Sequence, residues 1–209
     1  MPDLTNDSTY FLELQTNTGW GRMLKTFAEW CAPQPGWRVL DVASGPGILS
    51  ASFAGMGCRA FGADLDPKMF YQRPLHPDVL VADVYALPLP PESFDMLTCS
   101  NMLFFLPDPD AAFHQLARLL RPGGQLCVLN PSEQMSVAAA ADLAQKAGLT
   151  GLPRDTIVNY AGRAETAHRW TEQDLAALYR QAGMRLTGSD TRMGPGLVRF
   201  GRGVREVGS

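Results

Sequence analysis

Hydrophobic and polar positions along this chain follow two alternating rhythms. Between residues 20 and 31, apolar side chains fall at Trp20, Met23, Leu24, Phe27 and Cys31, the spacing of one helix face. Pro33-Gln34-Pro35-Gly36 breaks that pattern. Residues 37–42 then form an apolar run short enough for a buried strand, and residues 47–55 carry the next helix. Further strands are predicted over 58–64, 79–82, 94–99 and 125–129. Between the last two, Ala112, Phe113, Leu116, Ala117 and Leu120 share a helical face, which Arg121-Pro122-Gly123-Gly124 ends.

Beyond residue 131 the rhythm changes. An alanine-rich helix is predicted over 136–147, a loop over 148–153 and a helix over 156–167. Thr171-Glu172-Gln173-Asp174 has capping-box spacing ahead of an apolar face at Leu175, Leu178 and Ala182. Two closing strands near 185–190 and 197–202 flank Met193-Gly194-Pro195-Gly196, as in an antiparallel hairpin. The seven predicted strands and intervening helices specify an α/β fold. It is a doubly wound, Rossmann-like, seven-stranded, mostly parallel sheet with helices on both faces. No linker separates two domains. The chain reads as a single unit with a helical cap (1–36), a ligand-binding core (37–131), an insertion (132–170) and a closing helix with two strands (171–209).

Composition narrows the function. Hydrophobic residues make up 45% and the net charge is −3. Residues 1–150 carry 9 basic and 15 acidic side chains and residues 151–209 carry 9 and 6, which makes a mildly basic tail rather than a nucleic-acid stripe. No apolar run is long enough to span a membrane, and the polar N-terminus lacks the pattern of a signal peptide. Cys31, Cys58, Cys99 and Cys127 are scattered without metal spacing and read as reduced thiols of a cytoplasmic protein.

The candidate chemistry sits at the strand ends. Val39 to Ser50 reads VLDVASGPGILS: a strand, an acid, then Gly45-Pro46-Gly47 opening a helix. Such glycines let the backbone turn sharply and approach a ligand. A dinucleotide fingerprint wants a third glycine where Ser50 stands, and Asp41 before the turn suits a cationic ligand better than a diphosphate. Asp64 ends the second strand 17 residues after Gly47, near the spacing of a ribose-binding carboxylate. Asp83 follows the third strand.

With these motifs, VLDVASGPG, GADLDPKM, ADVYALPLPPESFD and LARLLRPGG, the sequence resembles the class I S-adenosylmethionine-dependent methyltransferases, small-molecule branch, of the ubiquinone/menaquinone-biosynthesis type. The resemblance spans residues 37–131 and implies S-adenosyl-L-methionine as cofactor and S-adenosyl-L-homocysteine as product. It implies a cofactor site of Asp41, Ala43, Ser44, Gly45, Gly47, Asp64, Leu65, Asp83, Val84, Asn101 and Met102. Gly45 and Gly47, with the backbone near Ala43 and Ser44, would hold the methionine moiety, and Asp64 the ribose. Asp83 and Val84 would meet the adenine, and Asn101 and Met102 the sulfonium. Ala43 stands where many members have glycine, and is expected to have negative φ.

The (Asp/Asn)-Pro-Pro-(Tyr/Phe) stretch of adenine and glutamine methylators is missing after the fourth strand, which continues Ser100-Asn101-Met102-Leu103. A small, partly apolar acceptor is expected instead, with no nucleic acid and no metal. Tyr10, Phe11, Trp20, Phe104, Tyr160 and Trp170 are its candidate contacts, although Trp20 and Phe105 also fit core positions. His114 reads as surface and His76 as loop, so His168 is the candidate base and Tyr160 the next. Residues 132–170 are expected to form a lid hinged at Gly148 and Gly151. A nicotinamide-dependent oxidoreductase and a non-catalytic S-adenosylmethionine-binding protein are the alternatives.

Overall fold

The computed structural model describes residues 8–70 and 78–206. His76 lies outside the described residues. Among the described residues, seven strands form one sheet in the order β3-β2-β1-β4-β5-β7-β6. They are β1 (Arg38–Val42), β2 (Arg59–Asp64), β3 (Val79–Val81), β4 (Phe94–Ser100), β5 (Leu120–Pro131), β6 (Met184–Arg192) and β7 (Val198–Arg205). The first five pair in parallel, and β7 enters antiparallel between β5 and β6. Strand order reverses between β1 and β4, where a doubly wound sheet opens a crevice at its carboxyl edge.

Among the described residues, seven α-helices surround the sheet: α1 (Ser8–Asn17), α2 (Gly19–Cys31), α3 (Ile48–Gly55), α4 (Pro109–Leu119), α5 (Val137–Lys146), α6 (Gly151–Glu165) and α7 (Glu172–Gln181). Their starts follow local chemistry. The Thr18 hydroxyl caps α2 by accepting from the Trp20 amide, and Asp108 caps α4 ahead of Pro109. Thr171 and Asp174 complete the expected capping box on α7.

Two apolar clusters fill the two faces of the sheet. One gathers Leu97, Val128, Phe113, Leu116 and Tyr179, the other Phe27, Val39, Phe53, Met96 and Phe200. The alternation along β1 and β4 explains the split: Leu40 and Leu97 face one cluster, Val39 and Met96 the other. All four cysteines are buried free thiols.

The sequence pattern and the structure differ in three places. The expected helical cap divides into two helices, of which α1 has no clear apolar stripe. Strand β5 begins at Leu120, because Leu120 pairs with Phe94 ahead of an irregularity that holds Pro122-Gly123-Gly124, and regular pairing resumes at Met96 with Gln125. Helix α6 begins at Gly151 rather than Thr156. Pro153 sits in its first turn, where the amide it lacks has no intrahelical partner to satisfy.

Candidate ligand-binding site

A cavity of about 370 Å³ opens at the carboxyl edge of β1, β2 and β4, at the point where strand order reverses. That volume falls within the usual range for small-molecule sites, roughly 300–1,000 Å³. Its floor is the turn after β1, where Ala43, Ser44 and Gly45 line the wall. Gly45 has φ of +52°, and a Cβ built on it meets nothing within 4 Å, so its backbone opens into free space. Gly47 has φ of +87° and caps α3 with no side-chain acceptor for the first amides. Ala43 departs from expectation. Its φ is +57°, a left-handed conformation that an L-residue adopts at a cost.

Asp64 reaches from the end of β2 into the same wall. Its Oδ2 accepts from the Gly45 amide at 2.8 Å and its Oδ1 from the Asp66 amide at 3.0 Å. Burial pushes its carboxyl above the ordinary range, against the lowering effect of those amides. Each oxygen keeps a further lone pair for a ligand hydroxyl. Leu65, Asp66 and Met69 continue this side of the cavity. Gly62 supports it from below: a Cβ there would meet the Ser44 hydroxyl at 2.8 Å.

Asp41 lies beneath the turn rather than at its mouth. It is only 1% exposed, accepts from the Thr98 hydroxyl at 2.8 Å and from Ser50 at 3.5 Å, and is absent from the cavity wall. Desolvation raises its pKa to about 7, although both hydroxyls oppose the rise. Its place is that of a support for the turn.

The far wall comes from the exit of β4 and from α1, α2 and α6. Asn101, at φ +59°, lines the cavity, and its Oδ1 accepts from the Tyr160 hydroxyl at 2.7 Å. Tyr160 also packs on Trp20, 5.1 Å between ring centroids, and edge-on against Phe104 at 5.7 Å. Tyr10, Phe11 and Phe105 complete an aromatic wall. Phe105 is 55% exposed and lies at the cavity rather than in the core.

Several expected contacts lie elsewhere. Asp83 is exposed and caps a short 3₁₀ turn by accepting from the Tyr85 amide at 3.0 Å. Val84 and Met102 belong to the core, and none of the three lines the cavity. Trp170 is 4% exposed, with its backbone tied to Pro131 and Arg199, so it packs the sheet instead of facing an acceptor. His168 is also outside the cavity. Its ring lies edge-on to Trp170, and its Nε2 is 3.4 Å from Asp174. His114 is exposed, with Nδ1 on the Asp110 carbonyl. Tyr160 stays in the site, but burial holds its phenol well above the ordinary value, which suits a hydrogen-bond donor and not a base.

Sequence reasoning did not single out Gln15, Thr156, Asn159 or Arg163, all of which line the cavity. Thr156, Asn159, Tyr160 and Arg163 have helical i, i+3, i+4, i+7 spacing, so the signal was present in α6. A polar stripe reads by default as a solvated face; the packing of α6 half-buries Thr156 and Tyr160 against the cavity and leaves Asn159 and Arg163 exposed at its rim.

A crevice of this kind, with backbone turn, strand-end acid and lined pocket, defines a Rossmann-like small-molecule-binding protein. The methyltransferase-domain family matches residues 40–128. A demethylmenaquinone methyltransferase of Clavibacter sepedonicus is 30% identical over 188 residues, 85% of this chain and 77% of that protein. A ubiquinone biosynthesis O-methyltransferase of Thiobacillus denitrificans is 34% identical over 162 residues, 73% of this chain. The match spans 66% of the Thiobacillus protein, just under two thirds of its length. Among solved structures, magnesium protoporphyrin IX methyltransferase from Synechocystis PCC 6803 with bound SAM has a TM-score of 0.64 at 17% identity, covering 90% of this chain and 80% of that one. The [4+2]-cyclase SpnF shares the fold as well, with a TM-score of 0.63 at 16% identity and coverage of 90% and 81%. The chain belongs to the class I S-adenosylmethionine-dependent methyltransferases.

Proposed function

We propose that this protein transfers the methyl group of S-adenosylmethionine to a small, partly apolar acceptor. The observation that carries the reading is the joined pair of cofactor elements. The Gly45 backbone, open to the cavity, is tied to the Asp64 carboxylate on the same wall. The named relatives are methyltransferases, which gives no support to the oxidoreductase alternative.

The residues fit the cofactor. Asp64 has lone pairs free for ribose hydroxyls after its two backbone bonds. The Gly45 backbone allows close approach of the methionine part. Asp64 and Asp66 place negative charge on the wall, which favours a cationic ligand. When bound, S-adenosylmethionine supplies an electrophilic methyl on a cationic sulfur, a leaving group that needs no proton.

The chain's own work is therefore alignment and exclusion of water. Tyr160 donates to Asn101 and fixes its amide at the β4 exit, between the two halves of the cavity. Trp20, Phe104 and Phe105 provide the apolar face against which the acceptor lies. No histidine among the described residues reaches this cavity, so an acidic acceptor proton leaves to solvent or to a carboxylate. Residues 132–170 cover the acceptor side through α6, with Gly148 (φ +63°) and Gly151 (φ +56°) at its hinge.

Calorimetric titration tests the reading. S-adenosylmethionine and S-adenosylhomocysteine are expected to bind at one site, and NAD is not. Binding of NAD without either adenosyl compound would overturn it. Methyl transfer to a panel of small hydroxylated and aminated aromatics then separates an enzyme from a non-catalytic binder.

No helix among the described residues is long and apolar enough to cross a membrane. Placement in the cytoplasm remains part of the same proposal, supported by four buried free thiols.

A further inference from the structure

We infer that Arg163, assisted by Asn159 and Thr156, anchors an anionic group of the acceptor, so that the substrate is an aromatic or similarly flat carboxylate. This rests on the methyltransferase reading and specifies its acceptor.

Four α6 residues, Thr156, Asn159, Tyr160 and Arg163, recur at helical spacing and all line the cavity. Three of them have no protein partner for their polar ends. The Thr156 hydroxyl is buried without a hydrogen bond. Neither the Asn159 amide nor the Arg163 guanidinium has a side-chain hydrogen bond or ion pair among the described residues. Arg163 is the one cationic side chain on the described cavity wall. Tyr160 alone in the stripe is satisfied, through Asn101.

Of these only the Thr156 hydroxyl is buried, and a buried polar atom without a partner costs stability unless a ligand supplies one; Asn159 and Arg163 stand exposed at the rim, where an entering anion meets them. A guanidinium offers a planar fork that matches a carboxylate in two parallel bonds. The remaining walls agree with that choice. Asp64 and Asp66, from the β2 end, repel an anion there, so α6 is the place where an anion is favoured. Trp20, Phe104 and Phe105 supply flat apolar surface beside the stripe.

A carboxylate has two sources: the acceptor, or the methionine part of the cofactor. The stripe surrounds Tyr160, which packs on the aromatic wall, and the glycine turn follows β1, away from α6 in the chain. That arrangement assigns Arg163 to the acceptor.

The test uses the full chain saturated with S-adenosylhomocysteine. Benzoate-, cinnamate- and indole-acetate-type carboxylates are titrated beside their primary carboxamides by calorimetry. At least one carboxylate is expected to bind about tenfold more tightly than its amide. Arg163→Gln is expected to abolish that preference and Arg163→Lys to retain part of it. Affinity for S-adenosylhomocysteine is expected to stay within about twofold in both variants. A panel in which no carboxylate exceeds its carboxamide overturns the inference. So does an Arg163→Gln variant that loses S-adenosylhomocysteine as strongly, which moves Arg163 to the cofactor carboxylate. If the unaltered chain fails to bind S-adenosylhomocysteine at all, the methyltransferase reading fails first, and the two failures are distinguished by that control.

Discussion

The amide of Gly45 donates to Oδ2 of Asp64 across 2.8 Å, joining the turn after β1 to the end of β2. A second amide, from Asp66, holds Oδ1 at 3.0 Å. One carboxylate therefore shapes the turn and faces the cavity at the same time, so its removal affects both binding and local order.

Asp64→Ala is expected to weaken S-adenosylhomocysteine binding more than tenfold, since hydrogen bonds to a charged acceptor are worth roughly 1.5–3 kcal/mol each. It should also speed amide exchange at Gly45, which loses its acceptor. Calorimetry with hydrogen exchange checks both. Unchanged affinity in a folded variant would remove Asp64 from the site.

Ala43 and Gly45 both hold positive φ, at +57° and +52°. Relieving the alanine by Ala43→Gly is expected to stabilise the protein by about 1 kcal/mol in urea unfolding. Gly45→Val should do the opposite: it strains the turn and places a branched side chain in the open space of the cavity. Ligand binding at the unaltered level by Gly45→Val would separate the turn from the site.

Asp41 has a native pKa of about 7 against an ordinary value of 3.8, chiefly through burial. Between those values the folded chain holds a proton that the unfolded chain has released. This group therefore favours folding below about pH 4, and that contribution is lost as pH rises through 7. Asp41→Asn removes the titration. The stability of the variant relative to the wild type should rise by a few kcal/mol between pH 4 and pH 8, read from unfolding curves without ligand. A difference that stays flat across this range would show that Asp41 ionises normally.

Tyr160→Phe keeps the ring contacts with Trp20 and Phe104 but deletes the donor to Asn101. Turnover on a working acceptor is expected to fall about tenfold, with S-adenosylhomocysteine affinity nearly unchanged and the pH–rate profile unmoved. His168→Ala, outside the cavity, should leave kcat within about twofold. A displaced pH profile in His168→Ala would return that histidine to the mechanism.

The order of strands and helices was legible because burial imposes its period on the chain. Val39 and Leu40 face different apolar clusters, and the run that contains them reads as a strand buried on both sides. Gly45, Gly47 and Asp64 were legible because turn and strand-end chemistry is local: few other residues make that bend or stand at that exit. Tertiary structure decided the rest. It bent Ala43 into a left-handed conformation against its intrinsic preference, in the same turn whose Gly45 amide reaches Asp64. It placed Asp41 under the turn and Trp170 in the core, and left His168 half-exposed beside Asp174. It also set the polar stripe of α6 along the edge of the cavity, with Tyr160 against Trp20 and Phe104. A polar residue at helical spacing looks the same in sequence whether it faces water or a cavity, because what distinguishes the two is the element packed opposite, and that element is distant in the chain.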